Sequence, residues 1–209
     1  MDDLWGVGKT ELLDKRFRQT LYRLRKIFQV SDNNSGNHIV LREDHNDHYH
    51  LSANPDVFCD IHKFIDWYNE GKEAELQNGS LQKISRYEMS VDLYKGDFLN
   101  DLDEIWSQQL RNRLRSLYLE MIDGLCRFYF VKKDGRMVEH YARNCLEILP
   151  HDEMGIFWLV KGFLKQRRHA TAKKECTEWQ KLIQSEMEIE PDISFEEIKN
   201  ASAFNDLWK

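Results

Sequence analysis

The longest regular pattern in the chain runs from Asp103 to Val131, where apolar residues recur at steps of three and four. The positions are Trp106, Leu110, Leu114, Leu117, Met121, Leu125 and Phe128. This spacing places them on one stripe of a helix, which would extend roughly 40 Å at about 1.5 Å per residue. We therefore predict a central helix on which others pack, with the Trp106 stripe buried at the centre of the helical region.

The chain from about Pro55 onward also shows helical spacing. One helix ends near Gly71 and the next runs from Leu81 to Tyr94, ahead of the central helix. Later helices lie near Arg136 to Leu149, Asp152 to Gln166 and Ala170 to Glu188, with Pro150 and Pro191 between them. Helices in this order stack as hairpins that bury one face on each neighbour. The pattern predicts that this region is all helical.

A strongly amphipathic helix is predicted from Glu11 to Phe28. Its apolar stripe contains Leu13, Phe17, Leu21, Leu24 and Phe28. The opposite side contains Lys15, Gln19, Tyr22, Arg23 and Lys26, flanked by Arg18 and Arg25. Seven basic and two acidic residues between Lys9 and Lys26 give a local net charge of +5. Such a face has the chemistry of a major-groove reader, and on periodicity alone it fits a solvated basic surface equally well.

Alternating residues after this helix predict a β-hairpin with a turn around Asp44 to Asp47. The expected buried positions are Ile39, Leu41, Tyr49 and Leu51. Arg42 is surrounded by acidic residues near the tip, which is a poor complement to phosphate. Nearby imidazoles could bind a metal together with the carboxylates of Asp44 and Asp47, although a polar surface loop is the simpler interpretation. The three imidazoles are those of His45, His48 and His50.

The composition indicates a folded protein of the cytoplasm. The 209 residues are 41% hydrophobic and 32% charged, with a net charge of −6, so any DNA contact must come from a local basic face. The start is acidic where a secretory signal is basic, and no apolar run reaches the roughly 20 residues of a membrane span. The four cysteines form no CxxC pair, which favours reduced thiols in a cytosol. They are Cys59, Cys126, Cys145 and Cys176.

No catalytic arrangement of residues is recognisable in the sequence. It contains neither GxSxG nor HExxH, and no cysteine, histidine and acid set at a known spacing. We therefore predict no enzymatic activity, no cofactor and no metal.

Several segments together resemble a known family. The segment LYKGDFL, from Leu93 to Leu99, is followed by Trp106, Arg111, Arg113, Leu114 and Tyr118. The other segments are CDIHKF at 59–64, ILPHDE at 148–153 and IEPDISFEEI at 189–198. Together they resemble the bacterial transcriptional activator domain. That domain is a tetratricopeptide-like helical module found behind a winged-helix DNA-binding domain in bacterial regulators of the antibiotic-regulatory type.

The resemblance implies a DNA-binding role for the basic helix. FRQTLYRLRKIF, from Phe17 to Phe28, is similar to the recognition helix of the winged-helix domain, and the hairpin lies where the family has its wing. The residues expected to contact DNA are Lys15, Arg18, Gln19, Tyr22, Arg23, Lys26 and Arg42.

The expected fold class is mainly α, with a tetratricopeptide-like bundle preceded by a partial winged helix-turn-helix with one β-hairpin. Residues 1–53 form the partial winged-helix domain in this prediction, and residues 54–209 form the helical activator domain. The sheet and helices that open the family's winged helix do not precede Asp2. The sequence thus resembles a regulator without the front of its DNA-binding domain.

The predicted function is that of a DNA-binding, signal-responsive transcriptional regulator. The expected partners are double-stranded DNA through the major groove, transcription machinery or a sensor domain, and a second copy in a homodimer. The alternative is a helical-repeat scaffold that binds protein without DNA.

Overall fold

The computed structural model describes residues 10–30, 40–43, 49–52, 58–191 and 193–208. The chain divides into two compact units, residues 1–59 and residues 60–209. Within the described residues the first unit contains helix α1, Thr10–Val30, and strands β1, Val40–Glu43, and β2, Tyr49–Ser52. The two strands pair antiparallel, with Leu41 opposite Leu51.

The expected partial winged helix-turn-helix is wrong for the part of the first unit that the structure describes. A helix-turn-helix needs two helices packed across a turn, and α1 is the single helix among the described residues before Asp60. The sheet formed by those residues has two strands, which alone contribute little stability. The mainly α class and the tetratricopeptide-like bundle do fit the structure. Predictions about the turn at 44–47 lie outside the described residues.

The second unit is a chain of helices in which each packs on the next. They are α2 Asp60–Leu76, α3 Ser80–Val91, α4 Ile105–Val131, α5 Gly135–Ile148, α6 Glu153–Lys165, α7 His169–Met187 and α8 Phe195–Asn200, followed by a 3-10 helix at Phe204–Trp208. The closest pairings are α2 with α3 and α5 with α6. None of the described helices is both long and apolar enough to cross a membrane.

The helix ends follow signals that the sequence contains. Asp134 and Asp152 cap α5 and α6 by accepting hydrogen bonds from the backbone amides of Met137 and Gly155. At the start of α8, Ser194 forms a reciprocal capping box with Glu197. Each cap satisfies amides that have no partner inside the helix. The chain therefore turns around Pro150 and Pro191 as predicted, whereas α2 continues past the predicted end near Gly71 to Leu76.

Helix α6 forms the centre of the second unit. Every residue from Met154 to Phe163 is buried, and α6 packs against α4, α5, α7 and α8. Trp158 is only 2% exposed, and its indole nitrogen donates to the Asp123 carboxylate of α4 at 2.9 Å. A helix covered on all sides is expected to be apolar all round, which matches this sequence.

Lys161 is the charged exception in the buried segment of α6. Its ammonium donates to the carbonyl oxygens of Lys199, at 3.2 Å, and Ala201. These carbonyls lie at the end of α8, where helical donors are missing. Burial lowers the pKa of Lys161. The side chain that interrupts the apolar pattern of α6 thus ties α8 to it.

Helices α5 and α6 approach closely at two glycines. A Cβ atom at Gly162 would lie 2.9 Å from the backbone nitrogen of Glu139, and one at Gly135 would lie 2.8 Å from the carbonyl oxygen of Gly162. A larger residue at either position would push the two backbones apart. The tight pairing of α5 with α6 therefore depends on both glycines.

Trp106 is not buried as the periodicity predicted, since it is 40% exposed. It lies in the first turn of α4, whose first buried apolar side chain is Leu114, about two turns further on. Further along the predicted stripe, Met121 and Leu125 are fully buried. Periodicity identifies which face of a helix is apolar, but it does not show how far along that face the neighbouring helices extend.

We expect the two tryptophans to differ in their contribution to stability. Trp158→Ala should lower the free energy of unfolding by about 3–5 kcal/mol because it empties a site in the core, whereas Trp106→Ala should cost only about 1 kcal/mol. Urea denaturation followed by circular dichroism measures both. A cost above about 3 kcal/mol at Trp106 would contradict its position outside the core.

Candidate functional site

Six of the seven residues predicted to contact DNA lie on the exposed side of α1. They are Lys15, Arg18, Gln19, Tyr22, Arg23 and Lys26. Tyr22 is 66% exposed, whereas Leu21 on the opposite side is buried and Phe17 is half-buried. A shallow hollow of about 520 Å³ on this face is lined by Asp14, Lys15, Arg18, Gln19 and Tyr22. The structure thus brings these six residues together on one polar, largely cationic face.

The seventh predicted residue, Arg42, lies on β1, where its backbone pairs with His50. Its side chain is outside the described part of the structure, as are the side chain of His50 and residues 44–48 with the other two histidines. Among the residues that the structure describes, no group of three histidine, cysteine, aspartate or glutamate side chains could hold a metal ion. The structure therefore does not test the predicted metal alternative.

The cysteines show no sign of a thiol site. All four are free, and Cys126, Cys145 and Cys176 are buried. Burial raises the pKa of each of these three thiols, for Cys176 to about 11. Since the thiolate is the reactive form, these cysteines act as packing residues.

The loop between α3 and α4 contains the whole segment LYKGDFL and is anchored by a buried tyrosine. Tyr94 stacks on Tyr118 of α4, with ring centroids 4.3 Å apart. Its hydroxyl donates to the Asp97 carboxylate at 2.8 Å, and Arg115 of α4 donates to the same carboxylate from two nitrogens. Burial alone would raise the pKa of Asp97, but the hydrogen bonds from Arg115 and Tyr94 hold it below the ordinary value.

Two residues of this loop have positive φ angles. Gly96 has a φ of 153°, which explains the glycine of the motif, and Leu99 has a φ of 46°. A leucine in the left-handed region costs about 1–3 kcal/mol and persists only where its surroundings hold it there.

Arg111, in the second turn of α4, helps to keep Leu99 in this conformation. Its guanidinium donates to the carbonyl oxygens of Phe98 at 2.8 Å, Leu102 at 2.7 Å and Leu99. A planar cation with several donors can satisfy three carbonyls at once, which a lysine cannot do in the same geometry. Arg111, one of the two arginines in the family resemblance, is therefore a loop anchor.

Two further side chains from the first turn of α4 bind the same loop. The Ser107 hydroxyl lies 2.9 Å from the Leu102 carbonyl and 2.8 Å from the Glu104 carbonyl, and it is buried. Gln108 donates to the carbonyl oxygen of Asp103 at 2.7 Å. Together with Arg111, these contacts connect the loop to the helix along most of its length.

The anchored loop and the first turn of α4 present one half-buried and four exposed large apolar side chains close together in the sequence, which we call the loop patch. It consists of Phe98, Leu99, Leu102, Ile105 and Trp106. Ile105 is 74% exposed, and the rings of Phe98 and Trp106 meet edge to face with centroids 6.4 Å apart. This surface was not predicted from the sequence because the helical periodicity placed Trp106 in the core. The sequence did contain a signal for an exposed apolar surface, because Leu102 and Ile105 alternate with acidic residues around the start of α4.

A groove of about 390 Å³ lies next to the loop patch. Ile61 and Phe64 of α2 form one wall, and Tyr94, Phe98 and Leu114 contribute to the rest. Phe98 belongs to both features, so the groove continues the apolar surface of the loop patch. The lining of both features is mainly apolar, which suits them to binding.

Stacked helical pairs with this loop define a tetratricopeptide-like helical module. Residues 59–201 match the family model described as the bacterial transcriptional activator domain. The chain belongs to this family of transcription regulators, which confirms the resemblance seen in LYKGDFL and its neighbouring segments.

Among solved structures, the chain is similar to Mycobacterium tuberculosis EmbR in complex with a low affinity phosphopeptide. The TM-score is 0.64 at 16% identity, over 94% of this chain and 51% of the EmbR chain. This chain therefore spans about half the length of EmbR, and at such identity the likeness shows the fold alone. No curated protein matches the sequence significantly.

We expect Asp97→Asn to destabilise the protein in a pH-dependent way. The variant weakens the hydrogen bonds from Arg115 and Tyr94, at a cost of about 1.5–3 kcal/mol near neutral pH. Because the folded pKa of Asp97 lies below its ordinary value of 3.8, this stabilisation is present above that value and is lost as the pH falls through the folded pKa. Thermal unfolding of both proteins between about pH 3 and pH 7 measures the difference.

The matched control is Asp101→Asn, since Asp101 is an exposed acid of the same loop. Its effect should stay within about 0.5 kcal/mol. A pH-independent difference between wild type and Asp97→Asn would contradict the ion-pair interpretation.

Proposed function

We propose that this chain is part of a DNA-binding transcriptional regulator of the cytoplasm, in which α1 contacts the major groove of double-stranded DNA and the helical module contacts proteins. The observation that supports DNA binding is the single exposed face of α1 with its lysines, arginines, glutamine and tyrosine. Membership of a family of transcription regulators supports the same role.

The chemistry of the face fits phosphate and base contacts. Lys15, Arg18, Arg23 and Lys26 supply charge for phosphate, and an arginine can also bind guanine in a bidentate manner. Gln19 lies between them and could pair with adenine. Arg42 on β1 is proposed as an additional backbone contact. The face spans roughly 17 Å from Lys15 to Lys26, which is comparable to half a turn of B-DNA.

The helical module is proposed as the protein-binding part, with transcription machinery or a sensor domain as partner. EmbR was solved with a phosphopeptide, and this chain spans about half of EmbR. No enzymatic activity is proposed. The second candidate function is a helical scaffold that binds protein without DNA, favoured by the acidic net charge of −6.

Alanine substitution on α1 tests the DNA role. We expect Lys15→Ala and Arg23→Ala each to lower the salt slope of binding to a labelled random-sequence duplex by about one, because each removes a phosphate contact. The dissociation constant of the chain itself should lie near 10⁻⁴–10⁻⁶ M at about physiological salt. Fluorescence anisotropy over a salt series gives both quantities.

The control is Arg113→Ala, which removes the same charge from an exposed position on α4. It should leave the slope unchanged. If neither α1 variant changed the affinity or the slope, the scaffold function would replace the DNA-binding function.

We also propose that the chain forms a homodimer, since a twofold assembly presents two basic helices to DNA and raises the avidity. Sedimentation velocity at tens of micromolar should show a dimer. A monomer across that range would contradict the proposal.

A further inference from the structure

We infer that the loop patch is a docking surface for a basic amphipathic helix of another protein. This inference rests on the proposed role of the helical module in protein contacts and is independent of DNA binding by α1. It names the surface and the chemistry of the partner.

The first support is the size and composition of the patch. Leu99, Leu102, Ile105 and Trp106 are all exposed, and they lie within eight consecutive positions, 99–106. Single exposed apolar residues, such as Leu76 at the end of α2, are normal on protein surfaces. Contiguous clusters mark interaction sites, and tryptophan is enriched among the residues that dominate binding energy.

The second support is that the loop is held rigidly while its apolar side chains remain exposed. Arg111, Ser107 and Gln108 all bind its carbonyl oxygens, and Leu99 is kept in the left-handed region. Strained backbone that the surroundings maintain is concentrated at binding sites. A surface that is ordered before binding loses less conformational entropy when a partner docks. The anchoring thus prepares the patch for an interface.

The third support is the charge around the patch. The exposed acidic side chains of Asp101, Asp103 and Glu104 interleave with its apolar residues and form no ion pair within the described part of the chain. Other acids of the module, such as Glu75 and Glu139, are paired with lysine or arginine. The rim of the patch therefore offers a cationic partner three acidic side chains that have no ion-pair partner in the described part of the chain.

The form of the partner follows from the same features. The described part of the second unit is helical and offers no free sheet edge, so strand addition has no template there. An amphipathic helix can place apolar side chains on the patch while its flanking lysines or arginines reach the acids. The acidic rim repels the phosphates of DNA and of anionic lipid surfaces, which favours a cationic peptide over either.

Peptide binding to the full chain tests the inference. The probe is a labelled, helical leucine and lysine peptide of about 18 residues with a single apolar face, long enough to stay helical. We expect micromolar binding that a Leu102→Ser, Ile105→Ser double variant weakens by about tenfold or more. The control is Leu76→Ser with Val131→Ser, which removes two exposed apolar side chains elsewhere and should change the affinity by less than about twofold.

A second set of variants tests the contribution of the acidic side chains to peptide binding. Replacing Asp101 and Asp103 by Asn and Glu104 by Gln should weaken binding and reduce its salt dependence. The matched control changes the net charge equally at exposed acids outside the patch. Its substitutions are Glu73→Gln, Glu147→Gln and Glu190→Gln. Circular dichroism verifies that every variant remains folded.

Three results would overturn the inference. One is the absence of an effect specific to the patch, either because the peptide does not bind or because the patch variants and their controls weaken its binding equally. Another is equally tight binding of a leucine and glutamate peptide of the same pattern. The third is loss of self-association in Ile105→Ser, which would assign the patch to a second copy of this chain. DNA binding measured on the same variants separates this inference from the proposed function, since the patch variants should leave the α1 salt slope unchanged.

Discussion

Burial of α6 on every side is the constraint on which the helical module depends. Its apolar residues find cover only if four other helices pack around it, and Gly162 permits α5 to approach within contact of the backbone. Trp158 then fills the centre and binds Asp123 of α4. Lys161 uses its charge to hold the end of α8. The positions of the surrounding helices thus follow from covering a single apolar helix.

Helix α4 connects this core to the candidate protein-contact surface. Its middle, near Leu114 and Met121, is fixed by packing, whereas its first two turns contain no buried apolar side chain. Those turns carry Ser107 and Arg111, whose hydrogen bonds hold the preceding loop. A loop attached to a rigid helix presents its side chains in a defined arrangement, which a loop anchored only by its ends does not. The same helix therefore serves stability and recognition.

Much of the helical region could be predicted, because 3.6-residue periodicity, proline breaks and capping residues are local properties. The burial of Leu21 and the exposure of Tyr22 on α1 could be predicted for the same reason. The burial of Trp106 was not, since it depends on where neighbouring helices end. A winged helix was inferred from resemblance, and the described residues before Asp60 do not contain the second helix that it needs.

The sequence by itself determined which segments are helical, which face of α1 is basic, and the family through LYKGDFL and its companion segments. Tertiary structure alone decided that Arg111 and Arg115 bind the loop rather than solvent, that Lys161 is buried, and that Trp106 is exposed. The physical reason is that periodicity reports the surroundings of a residue within its own helix. Its partners from distant parts of the chain, and the limits of the core, arise only when the helices pack together.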